Sequence, residues 1–303
     1  MKDLLGIKHL SADTIQAILS HAFEMKKILR QDCKKAPNLS GKSIITLFYE
    51  NSTRTRLSFE LAAKYLGATA ANITASGSSV AKGESLIDTV QTIDQMAADI
   101  IIMRHSASGA ADLAARNVHA SIVNAGDGMN EHPTQALLDM MTIIESKGHI
   151  DGLKVAIIGD VKHSRVARSN LYGLQKMGAE VVFGGPSTLM PAQIEEMGVK
   201  VYYDVEDAIK DADVVMGLRI QLERQKKGLF PTVREYSGFF GVDTRRLKLA
   251  KPDAIVLHPG PVNRGVELSA EVIDGEQSLI REQVTNGVAV RMAILDMLAH
   301  HQL

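Results

Sequence analysis

The residues best placed to do chemistry are Ser52-Thr53-Arg54-Thr55-Arg56, which fall where an apolar strand candidate at 43–49 gives way to a helical pattern. A helix begins with backbone N–H groups that lack partners inside the helix and with the positive end of its macrodipole, so hydroxyls and a guanidinium gathered there describe a phosphate site. Ser52 is a good N-cap, and Leu57, Leu61 and Tyr65 recur behind it on one helical stripe. A capped helix with solvated arginines accounts for Ser52 and Arg56 as well, but less well for three hydroxyls around Arg54. A second group, Glu131-His132-Pro133-Thr134-Gln135, follows a glycine-rich turn. Pro133 suits the first position of a helix, which puts His132 and Gln135 three residues apart, able to point at one small ligand. A histidine so placed is also a common structural hydrogen-bonder.

Other candidates sit at the ends of apolar runs. Arg104-His105 follows residues 100–103, and the loop 76–84 carries Lys82 ahead of a helix, an ordinary surface loop when taken alone. Residues 155–158 run into Gly159-Asp160-Val161-Lys162-His163-Ser164-Arg165; its one glycine, where the dinucleotide fingerprint needs three, excludes a nicotinamide site. Residues 214–218 end in Arg219-Ile220-Gln221, where Arg219 and Gln221 share a direction if the strand persists. Residues 254–257 end in His258-Pro259-Gly260-Pro261, a rigid turn able to expose backbone carbonyls. Arg54, Arg104, Arg165 and Arg219 thus stand beyond four different strands, and such a cluster calls for a polyanionic ligand because arginine pairs bidentately with phosphate and carboxylate.

The elements that must carry these residues alternate between strand-like runs and helical patterns. This is the signature of an α/β fold with two domains, each a parallel sheet covered by helices on both faces. One series of strands lies at 43–49, 68–74, 99–103 and 120–124, and the other at 154–158, 180–183, 199–203, 214–218 and 254–257. Glu145-Ser146-Lys147-Gly148-His149 ends a long helix at a glycine and marks the expected boundary. In open sheets of this kind ligands bind beyond the carboxyl ends of the strands, and two sheets side by side leave a cleft.

The chain has 303 residues, 45% of them hydrophobic, enough for a large core and for two domains. Lys and Arg total 34 against 35 Asp and Glu, which leaves no overall pull toward nucleic acid or an anionic membrane. Cys33 is the only cysteine, which excludes an internal disulfide framework and a multi-thiolate metal site. Residues 1–10 lack the apolar core of a signal peptide and no apolar run approaches membrane-spanning length, so the expected compartment is the cytoplasm.

Together, Ser52-Thr53-Arg54-Thr55-Arg56, Lys82-Gly83-Glu84, His132-Pro133-Thr134-Gln135 and His258-Pro259-Gly260-Pro261 resemble the motifs of the transcarbamylases, over nearly the entire chain. Ornithine-using members typically carry a cysteine in the last motif and a Ser-Met-Gly loop in the second domain; Pro259 and Arg219-Ile220-Gln221 stand here instead, as in the aspartate-using branch. The resemblance implies transfer of the carbamoyl group of carbamoyl phosphate to the α-amine of L-aspartate in pyrimidine biosynthesis, without cofactor, metal or covalent intermediate. It implies a carbamoyl phosphate-binding domain at 1–148, to which a C-terminal helix at 285–303 returns, and an aspartate-binding domain at 149–284. Carbamoyl phosphate would meet Ser52, Thr53, Arg54, Thr55, Arg104, His132, Gln135, Gly260 and Pro261, with Arg54, Thr55, Arg104 and His132 catalytic. Aspartate would meet Lys82, Arg165, Arg219 and Gln221. Ser78 and Lys82 would come from the neighbouring subunit of a homotrimer, with Ser79 competing for the serine's role, and regulatory chains or another enzyme of the pathway could join that trimer. Gly260 stands where enteric members have leucine, and the Gly260–Pro261 peptide is expected to be cis. Two competing readings are a transcarbamylase for ornithine or a longer acceptor, and an anion-binding module that does no chemistry.

Overall fold

The computed structural model describes residues 2–36, 38–74, 83–220 and 232–301. The chain forms two units, Met1–Met141 with Thr285–Leu303, and Thr142–Val284. In the first, strands β1 (Ser43–Phe48), β2 (Thr69–Thr74), β3 (Ile100–His105) and β4 (Ser121–Asp127) form a parallel sheet in the order β2-β1-β3-β4. Ile44, Leu47, Ile100, Ile101, Ile102, Met103, Ile122 and Val123 are all buried, as expected of parallel strands covered on both faces. The helices of this unit are α1 (Ala12–Leu29), α2 (Thr53–Tyr65), α3 (Leu86–Gln95), α4 (Ala110–Ala115) and the start of α5 (Pro133–Lys147). Ser11 and Ser85 cap α1 and α3 by accepting from Thr14 N and Asp88 N. The C-terminal helix Ile280–Ala299 returns to this unit, where Arg291 bonds Ser58 of α2 and Thr134 of α5.

Helix α2 departs from the pattern expected of it. Its core face is Thr55, Ser58, Phe59, Ala62 and Ala63, whereas Leu57 is 50% exposed, so the stripe Leu57, Leu61 and Tyr65 is not the side that packs inward. The large apolar residues misled the periodicity because the inward face accommodates the Arg291 guanidinium, which lies 5.0 Å from the centre of the Phe59 ring and bonds Ser58. Small and hydroxylic side chains leave room for it there.

The second unit holds β5 (Lys154–Ile158), β6 (Glu180–Gly184), β7 (Lys200–Tyr202), β8 (Val214–Gly217) and β9 (Ile255–Leu257), all parallel, in the order β7-β6-β5-β8-β9. Its helices are the rest of α5, α6 (Arg165–Lys176), α7 (Val205–Ile209), α8 (Val233–Phe240), α9 (Thr244–Leu247) and α10 (Ala270–Asp274). In both sheets the chain winds outward from its first strand, then returns to that strand's other side. The winding therefore reverses between β1 and β3 and again between β5 and β8. The carboxyl ends of the strands at such reversals are where open α/β sheets take ligands.

Candidate active site

The first reversal is flanked by the expected phosphate motif. Ser52 is the N-cap residue of α2 in extended conformation, but its side chain makes no capping bond, so the N–H groups of the first turn are not claimed by it. Thr55, one turn in, is buried, and Thr53 and Arg54 are exposed. Across the reversal, Arg104 near the end of β3 donates from Nη1 to Thr55 Oγ1 at 3.5 Å and to the carbonyl of Ala125 at 3.3 Å, while its Nε lies 3.4 Å from Glu50 Oε2. His132 is buried just ahead of α5, and its carbonyl accepts from the N–H groups of Gln135 and Ala136, which makes it the N-terminal cap of that helix. Gln135 is buried too and donates from Nε2 to Asp139 Oδ1 at 2.9 Å. The structure thus brings Ser52, Thr53, Arg54, Thr55, Arg104, His132 and Gln135 to the carboxyl ends of β1, β3 and β4 in a single unit.

The second reversal is flanked by Arg165 and Arg219. Arg165 opens α6 after β5 and is 4% exposed, with Ser164 capping the helix through Ala167 N. Arg219 is the second residue after β8, between the buried residues Leu218 and Ile220. On the neighbouring strand β9 the chain passes into His258-Pro259-Gly260-Pro261, where the Gly260–Pro261 peptide is cis and Gly260 has φ +63°. His258 Nδ1 accepts the Gly260 N–H at 2.8 Å and holds the turn from within. An imidazole that accepts at Nδ1 is neutral and carries its proton on Nε2. Gly159, which ends β5, has φ +128°, and a Cβ there would meet the Tyr236 hydroxyl and the Leu218 carbonyl at 3.1 and 3.3 Å, so it serves close packing of strand ends. Ser78, Ser79, Lys82 and Gln221 lie outside the described residues. Among the described residues no cluster of three or more His, Cys, Asp or Glu side chains could hold a metal ion.

Two family models match almost the whole chain: aspartate/ornithine carbamoyltransferase, carbamoyl-P binding domain, over residues 2–145, and the Asp/Orn binding domain of the same enzymes over residues 151–298. The chain belongs to the aspartate/ornithine carbamoyltransferase family. Among its relatives are proteins named aspartate carbamoyltransferase catalytic subunit from Ruminiclostridium cellulolyticum and Acetivibrio thermocellus, 71% and 70% identical over 98% of this chain and 95% of theirs. Similar solved structures include aspartate transcarbamoylase from Trypanosoma cruzi in complex with carbamoyl aspartate and phosphate, with a TM-score of 0.87 at 32% identity over 97% of this chain and 95% of that one. Ornithine carbamoyltransferase from Pyrococcus furiosus follows at 0.86 and 31%, over 97% and 96%.

Several residues that shape the candidate site escaped the sequence reading. Glu50 pairs with Arg104; an acidic residue between a strand end and a basic motif was the available sign. Asp127, buried at the end of β4, accepts from the N–H groups of Gly109 and Glu131 and from the side-chain amides of Asn124 and Asn130, and so shapes the turn that delivers His132. Glu131, also buried, accepts the N–H groups of Ile7 and Lys8 at 2.7 and 3.1 Å, which anchors His132's neighbour to the start of the chain. The partners of Glu131 lie more than a hundred residues away and leave no local pattern, whereas Asn124, Asp127 and Asn130, spaced three apart, did leave one. The ring of His105 packs against that of Tyr49 at a tilt of 58° with centroids 4.6 Å apart, and burial, partly offset by its bond from Ala107 N, holds its pKa below the ordinary histidine range.

Proposed function

We propose that this chain transfers the carbamoyl group of carbamoyl phosphate to the α-amine of L-aspartate, giving N-carbamoyl-L-aspartate and phosphate, a step of pyrimidine biosynthesis. The observation that carries the reading is Arg104 bonded to Thr55 where α2 begins beside the first reversal. The acceptor follows from Arg219-Ile220 at the second reversal, in place of an ornithine loop, and from relatives at 70% and 71% identity that bear the aspartate name.

The amine attacks the carbonyl carbon, and negative charge gathers on the carbonyl oxygen before phosphate leaves. Thr55, Arg104 and His132 donate to that oxygen, and donors already held in place for a developing charge lower the barrier most because they need no reorganisation. Ser52, Thr53, Arg54 and the first turn of α2 hold the leaving phosphate, which takes the proton of the amine. Gln135, which donates one of its two Nε2 hydrogens to Asp139, accepts from the carbamoyl NH₂ at Oε1, together with the backbone carbonyls of Gly260 and Pro261. Arg165, Arg219 and Gln221 bind the carboxylates of aspartate, and Lys82 reaches both substrates. Ser78 and Lys82 come from the neighbouring subunit of a homotrimer in the cytoplasm. No described helix is long and apolar enough to cross a membrane.

The test is product formation by the purified chain with aspartate and ornithine side by side, with its mass in solution. Carbamoyl-aspartate and phosphate in equal amounts from a trimer are expected. Carbamoyl-ornithine would move the chain to the other branch, and bound carbamoyl phosphate without phosphate release would make it an anion-binding module.

A further inference from the structure

We infer that Asn263 and Glu267 form a clip that fixes the backbone of Ile220 and thereby aims Arg219 at the acceptor amino acid, a positioning role that rests on the function proposed above. The chain leaves β8 at Gly217, and Leu218 N–H still donates to the Ile158 carbonyl at 2.8 Å. Ile220 has no place in the sheet ladder, yet both of its backbone polar groups are bonded. Its N–H donates to Glu267 Oε1 at 2.8 Å, and its carbonyl accepts from Asn263 Nδ2 at 3.2 Å. The two side chains are joined to each other, Asn263 Nδ2 donating to the same Oε1 at 2.6 Å and Asn263 N–H donating to Oε2 at 2.9 Å.

The rest of the surroundings closes the clip. The Ile220 side chain is fully buried in a small cluster with Leu189 and Tyr236, so the residue is held by side chain, donor and acceptor at once. Glu267 itself stands on firm backbone, because its carbonyl accepts Val242 N–H at 2.9 Å. With Leu218 and Ile220 both fixed, the backbone of Arg219 between them has little freedom left, so its side chain starts from a fixed Cα–Cβ direction with only its own rotamers to choose from. The other end of the clip, Asn263, lies two residues beyond Pro261, so one carboxylate ties the strand end that bears Arg219 to the turn that bears Gly260 and Pro261. A carboxylate buried to this depth is costly unless its oxygens are bonded. Burial pushes Glu267 above the ordinary carboxylate range, against the pull of the donors from Ile220 and Asn263. A leucine at this position would fill the space at less cost, so the acid is kept for what it holds.

Asn263→Ala removes the amide arm alone, and Glu267→Gln sets an NH₂ group against an N–H donor. In the full chain, phosphate release is followed with aspartate varied at saturating carbamoyl phosphate, and then with carbamoyl phosphate varied at saturating aspartate. The expected result is a KM for aspartate raised roughly fivefold to tenfold in each variant, as losing one such bond implies, with the KM for carbamoyl phosphate changed by less than about twofold. Hydrogen exchange at the Ile220 amide gives a readout independent of activity and should quicken in Asn263→Ala. An unchanged KM for aspartate, an equal rise in both KM values, or an Ile220 amide that exchanges as in the wild type would overturn the inference. If Glu267→Gln does not fold, Asn263→Ala decides the question. A wild-type chain that makes no carbamoyl-aspartate defeats the proposed function instead, and the exchange measurement still judges the clip.

Discussion

Replacing Arg291 by methionine tests how the two helix ends of the carbamoyl phosphate half are held. The guanidinium is 4% exposed and donates to Ser58 Oγ at 3.0 Å, to the Gly287 carbonyl at 2.9 Å and to Thr134 Oγ1 at 3.5 Å. Burial pushes its pKa down to about 10, against the charge of Asp139, so it stays a cation at neutral pH. Methionine fills the space of the stem but leaves two hydroxyls short of a donor and Asp139, which is fully buried, without the cation that offsets it. Removing a buried cation that offsets a buried carboxylate costs up to about 3–5 kcal/mol. At about 2–4 °C per kcal/mol for a domain of this size, the melting temperature of Arg291→Met should fall by on the order of 10 °C. Arg291→Lys keeps the charge but cannot span Ser58 and Thr134 with a single nitrogen, and should lose about 1–3 kcal/mol. The decisive variant is Arg291→Met with Asp139→Leu, because it removes the buried carboxylate together with the buried cation whose charge offsets it. Melting followed by circular dichroism and calorimetry should show the double variant regaining most of the loss. If Arg291→Met melts within about 2 °C of the wild type, or if Asp139→Leu adds to the loss, the reasoning is wrong.

Other outcomes follow from single sites. His132→Ala should lower kcat by a factor of roughly a hundred to a thousand, as removal of an oxyanion donor does, and an unchanged rate at saturating substrate would exclude it from that role. Gly128→Ala should destabilise the chain by about 2 kcal/mol or more, because Gly128 has φ +49° and its Cβ would lie 2.6 Å from Ser108 N and 2.9 Å from the Ser106 carbonyl; a wild-type melting curve would contradict this. Asp296 carries a pKa below the usual aspartate value: burial raises it, but the bonds from His21 and Asn38 and the charges of His21 and His300 outweigh that. A depressed carboxylate contributes stability that is whole above the unfolded pKa and lost as pH falls through the folded one. The melting temperature should therefore drop more steeply below about pH 4 in the wild type than in Asp296→Asn, and parallel curves would exclude the contribution.

Much of this molecule was legible as pattern. Among the described residues, the inner strands announced themselves as apolar runs because parallel strands covered on both faces need no alternation, whereas β2 and β7 are partly exposed, and the arginines stood out in a chain with a net charge of only -1. Where the reading failed, size misled it: in α2 Leu57 looked inward and Ser58 did not, since a residue more than two hundred positions later decides which face is buried. Asp127, Glu131 and Glu267 were passed over for the same reason. Each accepts at least one bond from a residue whose nearness only the folded chain creates, although Asp127 and Glu267 also have partners three or four residues away. Asn263 lies two residues beyond the His258-Pro259-Gly260-Pro261 turn, yet its side chain reaches back to Ile220, the third residue after β8.

The return of the last long helix to the first unit bears on how the protein is made. Residues that complete the core of that unit leave the ribosome only after the whole second unit has been synthesised. Until then Asp139 and the inward face of α2 await the guanidinium that neutralises and covers them. The second unit can settle early, as a contiguous stretch of polypeptide, while the first must persist in a provisional form, with the exposure to misassembly that delayed contacts bring.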